Sequence, residues 1–304
     1  MIELGKTSEF LDTHARLIDR RRFDLLFGGG DVEAAVAALA GYANPDGGFG
    51  WALEPDLRSG SSQPVGALHA FEVFEEIAPA TSPLAAGLCD WLESVSLADG
   101  GLPFALPGAA GPGSAPHWAG ADHTRSSLHI TSALCGIAHR VADHDPAVAE
   151  HAWLARATDY CRRGIAALEE PRGAYELRYV LQLLDALQDE RELERLGSFI
   201  PESGVMPVGG GVEEEQMRPL DFSPEPDRPL RALFATEVVA ADLDQLVAER
   251  LDDGGWDVRW NAFSPAAAVE WRGYITVHAL KLLSANGRFD AAQARQSRSS
   301  AAGL

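Results

Sequence analysis

Cysteine is scarce. Cys89, Cys135 and Cys161 are spread through 304 residues without a CxxC pair, which excludes a disulfide framework and a four-thiolate zinc site. Lysine is scarcer still: Lys6 and Lys281 are the only two, and arginine supplies the rest of the positive charge. No run of about 18 apolar residues occurs, so no membrane span is expected. Met1 to Arg22 is charged and amphipathic and lacks the apolar core and cleavage site of a secretory signal, so the expected location is cytoplasmic. Positive charge is outnumbered, 25 Lys and Arg against 45 Asp and Glu, giving a net charge of −20. Nucleic acid and anionic membrane would both be repelled, and neither is an expected partner. The sequence does not set the oligomeric state. With 46% apolar and 23% charged residues, the chain is globular rather than disordered. A single domain over residues 1–289 is expected, with a flexible tail at 290–304 rich in Ala, Ser, Gln and Arg.

What is present is a recurring turn. Asp46-Gly47-Gly48-Phe49, Asp99-Gly100-Gly101-Leu102 and Asp253-Gly254-Gly255-Trp256 share one pattern, and Ser203-Gly204-Val205-Met206 is a degenerate version. A helical pattern with a single apolar stripe precedes each of the three: Asp31 to Tyr42, Ser82 to Ser94 and Thr236 to Leu251. Apolar spacings of three and four make these helices amphipathic and half exposed. After the turn come a loop and then a segment apolar nearly all round: Pro64 to Phe74, Leu128 to Ala138 and Tyr274 to Leu283, with Ala174 to Leu187 as a fourth. Helices of that kind are buried among other helices. Serines before Pro64 and before Leu128 supply N-caps, and the glycine pair permits the positive φ that a sharp reversal requires. The expected fold is all-α, a chain of helical hairpins that stack because no hairpin buries its apolar face alone. Four or five hairpins closing on themselves make a small or incomplete α/α toroid, with a helix from Ser8 to Phe27 closing the ring. The stretch 209–229, with Gly209-Gly210-Gly211, the run Glu213-Glu214-Glu215 and four prolines, interrupts the pattern and reads as an inserted loop, either a lid or a solvated excursion.

The segments Asn44-Pro45-Asp46-Gly47-Gly48-Phe49-Gly50 and Asp252-Asp253-Gly254-Gly255-Trp256 resemble the repeats of the terpenoid cyclase and protein prenyltransferase superfamily, an α/α-toroid group in which a Gly-Gly-aromatic turn precedes each inner helix. The resemblance spans roughly residues 30–285 and implies the fold more than an activity. The chemical signatures of that group are missing. Asp242-Leu243-Asp244-Gln245 lacks the last aspartate of the cyclase acid motif, and Asp159-Tyr160-Cys161 lacks a converging histidine, since Ile275 stands where the zinc ligand would be. The Cys-Gly-Glu-Gln thioester motif and the Asp-Asp-x-x-Asp magnesium motif are absent, as are Gly-x-Ser-x-Gly and the P-loop. Neither a metal nor a cofactor is therefore expected.

The resemblance implies a cavity near the turns that lead into the inner helices, so candidate residues come from those loops. Glu54 and Asp56 stand in an apolar segment with Trp51, Arg58 and Gln63. They are either acids with raised pKa values, suited to protonate a double bond or a leaving group, or structural groups, Asp56 paired with Arg58 and Glu54 capping a helix. The second loop holds Trp118, Asp122, His123 and Arg125, an acid–base cluster or a solvated cover. The third set is Trp260, Glu270, Trp271 and Arg272, in which a carboxylate and a guanidinium flank one ring; such aromatics either wall a cavity that stabilises a cation or pack between hairpins. The expected function is a cyclase-like toroid that binds an isoprenoid or another small apolar molecule and performs acid-catalysed cyclisation or isomerisation. The alternatives are a non-catalytic binding or scaffold protein and a carbohydrate-active toroid. The central cavity discriminates among them: apolar with one acid for the first, filled for the second, an open cleft with two carboxylates for the third.

Overall fold

The computed structural model describes residues 2, 4–208, 215–260 and 262–290. The described residues form an all-α fold. Its helices are α1 (Leu4–His14), α2 (Leu17–Phe23), α3 (Val32–Ala40), α4 (Pro64–Glu76), α5 (Pro83–Val95), α6 (Pro116–Ala119), α7 (Leu128–Ala142), α8 (Pro146–Ala149), α9 (Ala152–Ala166), α10 (Ala174–Ala186), α11 (Glu190–Gly197), α12 (Pro219–Phe222), α13 (Thr236–Ala248) and α14 (Pro265–Ala285). Two short strands, β1 (Met206–Pro207) and β2 (Gln216–Met217), pair antiparallel. None of the helices is long and apolar enough to cross a membrane.

The repeated turn is built the same way each time. The Asp46, Asp99 and Asp253 carboxylates accept from the backbone N–H two residues on, that of Gly48, Gly101 and Gly255, and Ser203 Oγ accepts likewise from Val205. The first glycine of each pair takes φ near +90°, a conformation that costs any other residue. The second is needed for space: a Cβ on Gly48 would meet Trp91, on Gly101 Tyr160, and on Gly255 the Phe10 ring, all under 3.0 Å. Those three aromatics belong to α5, α9 and α1. The first two turns therefore rest on the half-exposed helix that follows in the chain, and the last turn rests on the first helix, where Thr7 Oγ1 donates to the Gly254 carbonyl. The inner members also run in succession. α4 packs on α7, α7 on α10, α10 on α12, and α14 returns to α2. Arg22 of α2 then reaches Glu72 and Glu76 of α4.

Three elements differ from the sequence expectation, the first being α14, which starts at Pro265 rather than Tyr274. The N-terminal helix is not continuous from Ser8 to Phe27. It breaks at Ala15-Arg16, so α1 lies outside and α2 inside, followed by a π-helical turn at Asp24–Gly28. Within 209–229, the described part is not a plain loop: α12 packs against α10 and α13, with Leu220 N–H donating to Asp242 and Gln182 donating to the Asp221 and Phe222 carbonyls. It takes an inner position as a helix of one turn. Residues 209–214 and the tail from 291 lie outside the described residues.

Candidate functional site

The loop after the first turn carries two consecutive non-glycine residues at positive φ, Trp51 and Ala52. Strain of this kind persists only where surroundings impose it. Here Trp51 N–H donates to the Ser59 carbonyl, and Arg16, itself paired with Asp19, donates to the carbonyls of Ala52 and Leu53. The result delivers Glu54 inward, 7% exposed. There it meets His69 in the middle of α4. His69 Nε2 lies 2.8 Å from Glu54 Oε2, and Nδ1 lies 3.2 Å from Glu72 Oε2. One imidazole thus sits between two carboxylates. Glu72 also accepts from the Tyr274 hydroxyl of α14 at 2.7 Å and pairs with Arg22, whose guanidinium forms a double hydrogen bond to Glu76 and lies over the Tyr274 ring. The rings of Trp271 and Tyr274 stand edge-on to the imidazole.

The electrostatics follow from this placement. Burial alone would lower the His69 pKa, but the Glu72 charge and hydrogen bonds to Glu54 and Glu72 raise it to about 9. The imidazole therefore carries its proton at neutral pH. Burial alone would raise the Glu72 pKa. The His69 charge and hydrogen bond, the Arg22 charge and the Tyr274 hydroxyl together outweigh it, and Glu72 is held well below the usual carboxylate range. Further along the inner helices Glu75 is pulled down to about 2, against its own desolvation, by Arg140 and Lys281.

These side chains are not sealed in. Glu72 retains 18% of its side-chain exposure. Tyr179 and Arg178 of α10, His129 of α7, and Tyr274 and His278 of α14 are all half-buried, although each sits on an inner helix. His129 stacks on Tyr175 and Tyr179, and His278 on Tyr274. Burial, and then the Arg178 charge, hold both of these imidazoles down at about 4, so they are neutral where His69 is charged.

The residues expected from the sequence separate into three groups. Glu54, Asp56, Arg58, Trp260, Glu270 and Trp271 converge around the start of α14. Asp56 accepts from Trp271 Nε1 at 2.8 Å and from Phe263 N–H at 2.9 Å, and Trp260 stands edge-on to Trp271. Arg58 does not pair with Asp56; it makes a bidentate bridge to Glu270, at 2.7 and 3.1 Å. Glu54 does not cap a helix and holds His69 instead. Gln63 and Trp118 serve packing between loops, Gln63 by exchanging hydrogen bonds with the Leu106 backbone and Trp118 by stacking on Phe104. The others lie apart. Asp122, His123 and Arg125 are exposed, with Asp122 closing a turn on Thr124. Trp51 is 59% exposed. Arg272 faces the outer layer, paired with Asp253 above the Phe10 ring.

His69, Glu72, Arg22, Tyr274 and Arg178 are not among the residues expected from the sequence, and from the sequence His278 is considered only as a zinc ligand and set aside. The available signal was ionisable residues inside otherwise apolar helices, such as His69 and Glu72 three apart in Pro64–Glu76, an arrangement that marks candidate sites. Among the described residues no group of His, Cys, Asp and Glu has the geometry of a metal site. A surface cleft lined by Ile2, Lys6, Val247, Arg250, Leu251 and Asp252 lies on the outer helices, away from this cluster. No family model matches the chain, and neither a curated protein nor a solved structure shows significant similarity to it.

Proposed function

We propose that the cyclic run of helix contacts is that of an α/α toroid, and that the protein binds a small, hydroxyl-rich molecule, carbohydrate-like in chemistry, in the hollow between its inner helices. The single observation that carries this reading is the imidazole of His69 held between Glu54 and Glu72 beside Tyr274 and Trp271. The ionised Glu72, the Glu54 oxygens and the Tyr274 hydroxyl present acceptors and donors to hydroxyl groups, and the aromatic rings present faces to the apolar side of a sugar-like ring. An isoprenoid would strip water from these charges and return no hydrogen bonds, which is costly. Alkene protonation also needs a strong acid. Glu72 is kept ionised, and an imidazolium with a pKa of about 9 is a weak acid. The carbohydrate-active alternative is therefore better supported than terpene cyclisation. The ionised Glu72 would accept a hydrogen bond from a bound hydroxyl, while both N–H groups of His69 are held by Glu54 and Glu72 and fix the carboxylates in place.

The test is native mass spectrometry of freshly purified protein. The expected result is a retained polar adduct that is lost from the His69→Gln and Glu72→Gln variants. An adduct of isoprenoid mass, or a polar adduct held equally by both variants, contradicts the reading.

A further inference from the structure

Most inward guanidiniums of this chain are matched with carboxylates, and Arg231, which has no ion pair among the described residues, is held by Ser223 and Asn286. Arg16 pairs with Asp19, Arg22 with Glu76, Arg140 with Glu75, and Arg228 with Asp185. Arg178, in the middle of α10, is different. It forms no ion pair and no side-chain hydrogen bond among the described residues, and its Nε is buried without a partner. In a protein with 45 carboxylates against 25 basic side chains, an unmatched inward cation is not explained by a shortage of acids. A guanidinium left unpaired in the interior is unfavourable, so a position that keeps one points to a counter-charge from elsewhere.

Its surroundings are those of an anion receptor. The guanidinium lies over the Tyr179 ring, 5.0 Å from the centroid. That ring is stacked on His129 of α7, 5.2 Å between centroids. The Arg178 charge also reaches His278 of α14, which is stacked on Tyr274. A neutral imidazole retains one N–H donor, so two such donors and a five-donor guanidinium come from three inner helices. The acid of α12 nearest in effect, Asp221, is engaged by Arg218 N–H and by Arg259. The acids Glu54 and Glu72 are engaged by His69.

We infer that Arg178, with the imidazoles of His129 and His278, receives an anionic group, a carboxylate or a phosphate, of the molecule that fills the hollow. The ligand is then a hydroxylated acid, with its hydroxyls toward Glu54, His69 and Glu72 and its anion toward Arg178. This rests on the hollow proposed above as a binding site and narrows the class of ligand. Guanidinium is suited to the role because its planar fork meets both oxyanions with paired hydrogen bonds.

The experiment follows the histidine side-chain resonances of the full chain by NMR while inorganic phosphate, and separately acetate, is added. The expected result is a saturable shift of the His129 and His278 signals with at least one anion, with His117 and His123, both exposed, unmoved. In Arg178→Gln the apparent Kd should rise by about tenfold or more, the loss of a charge-assisted bidentate contact, and Arg178→Lys should recover part of it. The unchanged His117 and His123 signals and a cooperative melting curve with a midpoint no lower than that of the wild type show that the variant is folded. No saturable shift with either anion, or the same shift in Arg178→Gln, overturns the inference. A parallel titration with glucose, read at His69, separates the two proposals. A response there without any anion response leaves the hydroxyl-binding reading standing and removes this one. An anion response without one to glucose does the reverse.

Discussion

Removing the charge from His69 should produce a stability loss confined to one pH range. Its pKa rises from 6.5 to about 9 because two carboxylates share the ring. At 1.36 kcal/mol per tenfold change in proton affinity, that rise corresponds to about 3 kcal/mol of folding free energy. The sign follows from a folded-state pKa above the unfolded one. The stabilisation is fully present below about pH 6.5 and is lost as the pH climbs through about 9. In a chain of 304 residues, unfolding entropy near 2.1 cal/mol/K per residue turns this into roughly 5 °C of melting temperature. Wild type and His69→Gln are to be melted side by side by circular dichroism from below neutral pH to above the His69 value. Taking the difference between the two cancels other groups that titrate in the range. The curves should be farthest apart at and below neutral pH, by about 5 °C, and converge at the alkaline end. Parallel curves across the whole range would refute the claim that the two carboxylates hold a proton on this ring.

Three further outcomes follow from the packing. Gly254→Ala places a methyl 2.7 Å from the Lys6 backbone at φ +90° and should lower stability by about 2–3 kcal/mol in urea unfolding, whereas Gly287→Ala, at φ +68° in open space, should cost only about 1 kcal/mol. Asp56→Asn leaves one carbonyl oxygen to serve both Trp271 Nε1 and Phe263 N–H; a loss of about 1–2 kcal/mol in the same assay is expected. Ala52→Gly relieves a residue held at φ +60°, so stability should stay level or rise by up to about 1 kcal/mol, opposite in sign to the usual effect of this change.

The all-α class was legible because the turns are strict. An aspartate followed by two glycines has few uses other than a tight reversal, and the helices between them differ visibly in how far apolar residues wrap around them. The degenerate turn at Ser203 was legible for the same reason: its hydroxyl replaces the carboxylate at the same acceptor position. Short elements were not legible. α12 is one turn long with proline at its first position, and nothing separates such a segment from the other prolines around it. The start of α14 at Pro265 was missed because its first turns carry Glu270 and Arg272, whose charges interrupt the apolar run, so that only Tyr274 to Leu283 reads as buried. In the site, Glu54 and Asp56 were accessible as polar residues in a loop near the first turn, and Glu270 and Trp271 as polar and aromatic residues ahead of the apolar run of α14. Their partners were not, because pairing depends on which helices become neighbours. Arg22 is one of three consecutive arginines, and only the fold decides that Arg22, 5% exposed, is the one that turns inward. His69 and Arg178 were read as parts of apolar helices. A cavity there was accordingly expected to be apolar, whereas the inner helices carry the ionisable side chains His69, Glu72 and Arg178.

Of the imidazoles on the inner helices, His69 holds a proton at neutral pH and His129 and His278 do not. A pH titration of the His69, His129 and His278 ring resonances in the unliganded protein tests it most directly. The predicted result is His69 titrating near 9, with His129 and His278 remaining neutral down to about 4. Three midpoints clustered near 6.5, the ordinary value for a solvated imidazole, would contradict it.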